Sequence, residues 1–290
     1  MRKFLSQNLV AFAISTILFS GCTLNSPQQN SNFNAHLPPS SEQDPQFIEQ
    51  ANPPPTLNVP IEIDEEVWDL SDVDVSHIHK DKKLISFTFD DAPARTLENI
   101  FAVFAAFNES HPDNLASATV FFNGGRFDKQ TKHLLYTAYA LGFELGNHTQ
   151  SHLDLTTLTE QEIEAEISKT DALLSEIDHK PLHLLRAPFG KTDATVKAIV
   201  KTPIIDWTID TLDWTGIDAN GIYEHVFSNR QDGAIVLMHD GYEATVSALK
   251  RLLPDLANDG YQVVSVSALA KAHNCTLRKG RVYIRARKQL

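Results

Sequence analysis

From Lys83 onward the chain alternates short apolar runs with helix-like stretches, and few folds accommodate that pattern. The runs occupy residues 84–89, 118–122, 143–145, 182–185, 204–209, 234–238 and 261–266. Each has the length and apolar character of a buried strand. Among the stretches between them, the clearest helix signal begins at Thr159, where Glu162 three residues on completes a capping box. Its apolar residues Ile163, Ile167, Leu174 and Ile177 share one face, and His179 and Lys180 stand at the end where the helix dipole favours cations. A second helix is expected around Leu97, Ile100, Phe101 and Phe104. Strands alternating with helices predict an α/β fold with a parallel sheet or barrel.

The polar residues narrow the choice. Asp90-Asp91 follow the first run, His148 the third, Arg186 the fourth, Asp210 and Asp213 the fifth, and His239-Asp240 the sixth. Reactive side chains at the C-terminal ends of successive strands are where a (β/α) barrel builds its active site.

Other segments set the context. Arg2 and Lys3 precede a short apolar core ending in Ser20-Gly21-Cys22, which is the pattern of a secretory signal. The core is too short to span a bilayer, which takes about 20 apolar residues. Leu18-Phe19-Ser20-Gly21-Cys22 resembles the lipobox of bacterial lipoproteins. The resemblance implies a signal peptide over residues 1–21, a lipidated Cys22 and a cell-envelope protein anchored to a membrane. Residues 22–80, first rich in Pro, Asn and Gln and then acidic, are expected to form a flexible tether. The catalytic domain is expected over 81–272, and a basic segment over 273–290, read as a solvated tail or edge strand. A formal net charge of −12 argues against nucleic acid, whose phosphates need a basic surface. The remaining cysteine, Cys275, has no activating partner in the sequence and reads as a quiet thiol.

Asp91, His148 and His152 offer one carboxylate and two imidazoles. Three protein ligands leave a coordination position open, as in catalytic zinc sites. Cobalt, nickel and manganese also suit nitrogen and oxygen donors. The Gly146-Asn147 lead-in places the two histidines in a loop or single turn rather than along a helix. Neighbouring residues of a regular strand face opposite ways, so one of Asp90 and Asp91 can bind metal while the other serves as general base. Arg186 is suited to hold that base by a charge-assisted bond. His239 is suited to proton donation, with Asp213 to fix its tautomer. Trp214 and Phe189 offer flat apolar faces for sugar rings.

Taken in order, Thr88-Phe89-Asp90-Asp91-Ala92-Pro93, His148-Thr149-Gln150-Ser151-His152, Arg186-Ala187-Pro188-Phe189-Gly190, Asp213-Trp214 and Leu237-Met238-His239-Asp240 resemble the five motifs of the polysaccharide deacetylases, carbohydrate esterase family 4. The resemblance runs over roughly residues 83–270. It implies a distorted (β/α) barrel and hydrolytic removal of acetyl groups from an acetylated polysaccharide. Asp90 would be the base, Asp91, His148 and His152 the metal ligands, Arg186 the tether of Asp90, and His239 the acid supported by Asp213. The Phe189 amide would bind the oxyanion, and Leu237 and Trp214 would line the acetyl or sugar pocket. The family often has glycine where this chain has Ala92 and tyrosine where it has Phe189. The second change removes a hydroxyl and keeps the amide, so it bears on substrate preference rather than on the chemistry.

The expected substrate is a glycan carrying N-acetylglucosamine units in a wall or surface polymer. O-deacetylation of xylan is the near alternative, since the two reactions differ only in the leaving group. A carbohydrate-binding lipoprotein without turnover is the alternative from another class.

Overall fold

The computed structural model describes residues 66–287. The signal segment, Cys22 and the tether as far as residue 65 lie outside the described residues, as do 288–290. The elements run β1 (Lys83–Ala92), α1 (Leu97–Ser110), β2 (Thr119–Phe122), α2 (His133–Ala140), β3 (Glu144–Asn147), α3 (Glu160–Asp178) and α4 (Ala194–Ile199). They continue with β4 (Ile204–Ile205), β5 (Ile209–Asp210), α5 (Ala219–Asn229), β6 (Ala234–His239), α6 (Glu243–Asn258), β7 (Tyr261–Val264), α7 (Val266–Ala272) and β8 (Val282–Tyr283). Among the described residues no helix is long and apolar enough to cross a membrane.

The strands pair in parallel in the order β3-β2-β1-β6-β5, and β7 joins the lower half of β1. Leu185 bridges Asn147 on one side and Ile204 on the other, which carries the sheet round from β3 to β4. The result is a distorted (β/α) barrel, as the alternating pattern predicted. In β1 every residue from Leu84 to Asp90 is buried, because a parallel strand under helices is covered on both faces. Alternation assigns the faces. Ile85, Phe87 and Phe89 join the core beneath α1 and α6, with Phe104 and Leu249. Leu84 belongs to the inner cluster with Phe121, Leu184, Ile205 and Ile235. Asp90 falls on the inner face, at the open end of the barrel.

Several expectations are revised. The 204–209 run is two strands rather than one. Asp206 N–H donates to Tyr283 O (2.8 Å) whereas Thr208 N–H donates to Ile235 O (2.8 Å), so the chain changes partners at Asp206-Trp207. The 182–185 run contributes only the bridges at Leu185. The tether does not extend to residue 80: Trp68, Leu70, Val73, Val75 and Ile78, spaced among the acids, pack on the inner cluster, and Trp68 N–H donates to Leu277 O (2.9 Å). Of the two readings of the C-terminal segment, the edge strand holds and the solvated tail does not: β8 pairs with β4, Arg285 bridges to Ala234 and Ala286 is buried.

Thr159 caps α3 through the expected box, its hydroxyl accepting from Glu162 N–H while the Glu162 carboxylate accepts from Thr159 N–H. Helix α3 matters for the site because the loop after β3 is fastened to it.

Candidate active site

Asp90 and His239 are register partners at the ends of β1 and β6. Asp91 follows Asp90 and by alternation would face outward. Its φ of +66° and the register slip between Phe89 and Ala92 turn it back, so both carboxylates reach the same cleft. A positive φ is rare for a non-glycine residue and marks a position held by its surroundings. Arg126, from the short 3₁₀ turn Gly124–Arg126, holds it: the guanidinium donates to Asp91 O and lies 3.2 Å from Asp91 Oδ1.

His148 and His152 sit in an irregular loop, with positive φ at Thr149 and His152, as the Gly146-Asn147 lead-in predicted. Gly146 is required by packing, because a Cβ there would lie 2.5 Å from the Phe121 ring. That ring in turn lies 4.3 Å beneath the Arg186 guanidinium. Asn147 anchors the loop: its side chain donates to Ile167 O and Asp171 Oδ1 (both 2.9 Å) and accepts from Thr149 N–H (2.8 Å). Glu166 accepts from Ser151 N–H (2.7 Å).

His148 Nδ1 lies 2.7 Å from Arg186 O. A carbonyl only accepts, so Nδ1 carries the hydrogen and Nε2 turns its lone pair into the cleft. That Nε2 lies 3.7 Å from Asp90 Oδ2 and 4.0 Å from Asp91 Oδ1, and His152 Nε2 lies 3.5 Å from Asp91 Oδ1. The donor atoms of Asp91, His148 and His152 all fall within 4.8 Å of one another. Ligand atoms about 2.0–2.2 Å from one tetrahedral ion stand about 3.4 Å apart. Burial pushes the His148 proton affinity down against the pull of Asp90, which keeps the imidazole neutral and free to ligate. Imidazole nitrogens and carboxylate oxygens that face one another at 3.5–4.0 Å suit a divalent cation between them.

Arg186 is fully buried. It donates to Asp90 Oδ1 (2.8 Å), Thr88 Oγ1 (2.6 Å), Ile205 O (2.8 Å) and Asp206 O (3.1 Å). Asp90 Oδ2 is thereby left facing the cleft. Across from it, His239 Nδ1 bonds Asp213 Oδ1 at 2.7 Å, and Asp213 Oδ2 accepts from His239 N–H and Thr245 Oγ1 (both 2.8 Å). Burial acts to lower the His239 proton affinity. The Asp213 bond and the charges of Asp90, Asp213 and Asp91 outweigh it, and the imidazole is pushed above its ordinary value.

Phe189 is exposed, with φ +61°, and its ring meets that of His152 at 4.8 Å. No hydrogen bond engages its amide among the described residues. Trp214 is exposed, and Leu237 is buried on the inner face of β6, with its carbonyl accepting from Thr211. Asp90, Asp91, His148, His152, Arg186 and the His239–Asp213 pair thus come together at these strand ends, whereas Asp210 accepts from Leu212 N–H and Asp240 from Ala94 and Thr96 N–H, away from that group. Cys22 lies outside the described residues. The sequence reading missed Arg126, Asn147, Glu166, Thr245 and Trp207, whose ring lies 5.7 Å from the Arg186 guanidinium. Asn147 had a signal, being a polar residue next to His148 at a strand end. Arg126 had none, since its contact spans 35 residues of separation.

The sequence profile of the family "Polysaccharide deacetylase" matches residues 77–203. A peptidoglycan-N-acetylglucosamine deacetylase of Bacillus cereus is 32% identical over 203 residues, covering 67% of this chain and 91% of that protein. The peptidoglycan-N-acetylglucosamine deacetylase PgdA of Listeria monocytogenes is 30% identical over 69% of this chain, which spans 42% of that relative's length. The structure of the peptidoglycan deacetylase PdaC from Bacillus subtilis superposes with a TM-score of 0.62 at 28% identity, covering 68% of this chain and 94% of that one.

Proposed function

The chain belongs to the polysaccharide deacetylase family, and from that premise we propose that it is a metal-dependent hydrolase that removes acetyl groups from a glycan. The observation that carries this is the convergence of Asp91, His148 and His152 donor atoms beside Asp90, with His239 across the cleft.

Asp91, His148 and His152 would hold the metal, zinc by preference, with cobalt, nickel or manganese as alternatives. When bound, it supplies Lewis acidity, lowering the pKa of water and polarising a carbonyl. Asp90 takes a proton from the water that attacks the acetyl carbonyl, through Oδ2, because Arg186 occupies Oδ1. The Phe189 amide donates to the carbonyl oxygen as charge develops on it. The bond from carbonyl carbon to the leaving nitrogen or oxygen then breaks. His239 donates its Nε2 proton to the leaving atom while Asp213 stabilises the imidazolium, and acetate departs. Trp214 and Phe189 present exposed rings against which a sugar can pack.

The substrate we favour is a cell-wall or surface glycan with N-acetylglucosamine units. An N-terminal signal and a lipid anchor at Cys22 would place the domain in the envelope, on a tether ending before residue 66. Acetate release from N-acetylated wall glycan, chitooligosaccharides and acetylated xylan, after chelation and again with metal restored, tests this reading. Release from the N-acetylated polymers that disappears on chelation and returns with metal supports it. Release from xylan alone transfers the reading to an O-deacetylase, and no release from any of them rejects it.

A further inference from the structure

Beneath the cleft lies a buried ionic cluster that the proposed chemistry does not use. His183 stands between two carboxylates of α3, with Nδ1 2.9 Å from Asp171 Oδ1 and Nε2 3.1 Å from Asp178 Oδ1. All three side chains are almost fully buried. A carboxylate on each ring nitrogen calls for a hydrogen on both, and the two charges outweigh burial to raise the imidazole's proton affinity. Burying three ionisable groups is costly unless they are paired, and such clusters seldom add net stability over an apolar packing.

Its connections give the cluster a use. Asp171 Oδ1 accepts from His183 and also from Asn147 Nδ2 (2.9 Å), whose own carbonyl and amide oxygens accept from Arg186 N–H (2.9 Å) and Thr149 N–H (2.8 Å). His183 lies three residues before Arg186, which bonds Asp90 and whose carbonyl fixes the His148 ring. One oxygen of Asp171 thus ties both segments that carry the cleft, 147–152 and 183–186, to the same helix.

We infer that Asp171 and His183 are positioning residues for the metal site: through Asn147 and the 183–186 segment they set the placement of the His148 and His152 ligands. Asp178 completes the charge pairing of His183 but touches neither segment's cleft residues, so it serves as the internal control. The inference rests on the proposed metal site.

Cobalt(II) binding to the full chain, read by chelator competition and by visible absorption, tests it, with thermal melting as the check on folding. The wild type is expected to bind one cobalt ion that His152→Ala abolishes. No such binding removes the metal reading itself. Given that binding, Asp171→Ala and His183→Leu are expected to weaken it about tenfold, the lower end of what loss of a group that orients a ligand costs, because each loosens a segment that places the histidines, and to alter the absorption band. Asp178→Ala is expected to stay within about twofold, and Asp171→Asn, which keeps an oxygen for Asn147, to retain more affinity than the alanine variant. Should the alanine variants not fold, the isosteric pair Asp171→Asn and Asp178→Asn carries the comparison, with the larger loss expected for the first. Wild-type affinity and band in folded Asp171→Ala or His183→Leu, or equal losses at positions 171 and 178, overturn the inference.

Discussion

Replacing Arg186 with Met tests how the base is held. The guanidinium is completely buried, and Asp90, its ion-pair partner at 2.8 Å, is nearly so. Removing one member of a buried pair leaves the other charge without compensation, at a cost of about 3–5 kcal/mol. Methionine fills much of the volume but frees the Ile205 and Asp206 carbonyls as well. For a domain of this size each kcal/mol moves the melting temperature by about 2–4 °C, so the melt should fall by roughly 6–20 °C. The double variant Asp90→Asn/Arg186→Met has no orphaned charge. It should therefore be more stable than the sum of the two single changes implies, with a coupling of about 1–3 kcal/mol. Denaturant melts of the four proteins at pH 7, without metal, give the cycle. Strict additivity, or a single-variant loss below about 1 kcal/mol, would refute the view that Arg186 offsets the charge of Asp90.

Asp90→Asn should keep its metal while acetate release drops about 10²–10⁴-fold, the usual scale of a general base; near-normal turnover would remove Asp90 from that role. His239 must hold its proton to act as an acid, and its proton affinity is raised. Activity should therefore fall as pH rises through that raised value, and Asp213→Asn, by withdrawing the stabilising charge, should move the alkaline limb of kcat/KM to lower pH. An unmoved limb would argue against the His239–Asp213 pairing as the source. Zinc at about 100 times its dissociation constant should stabilise the fold by about 2.7 kcal/mol, seen as a higher melting temperature. His152→Ala should lose that gain, and a persisting gain would place the ion elsewhere.

The barrel was legible because its strands are covered on both faces and read as apolar runs, with β1 and β6 the clearest. Strand limits at 182–185 and 204–209 were not, because they depend on which distant backbone answers each N–H, as at Asp206 and Thr208. Trp68 to Ile78 looked like tether because acids surround apolar residues whose partners lie some 200 positions away. At the site, residue type and strand-end position singled out Asp90, Asp91, His148, His152, Arg186, Asp213 and His239, which the fold brings together; the division of roles among them came from the family resemblance. What the order of residues did not disclose is the apparatus that holds them: the positive φ of Asp91, Arg126 upon it, and the Asn147–Asp171–His183 linkage. Those contacts follow from the fold's closure and carry no periodic or local signal.

Anomalous diffraction from crystals of the zinc- or cobalt-loaded protein reaches the claim on which the rest depends. One peak is expected among Asp91 Oδ1, His148 Nε2 and His152 Nε2, with Asp90 Oδ2 facing the open side. A peak held by other residues, or no peak in protein that releases acetate, would contradict it.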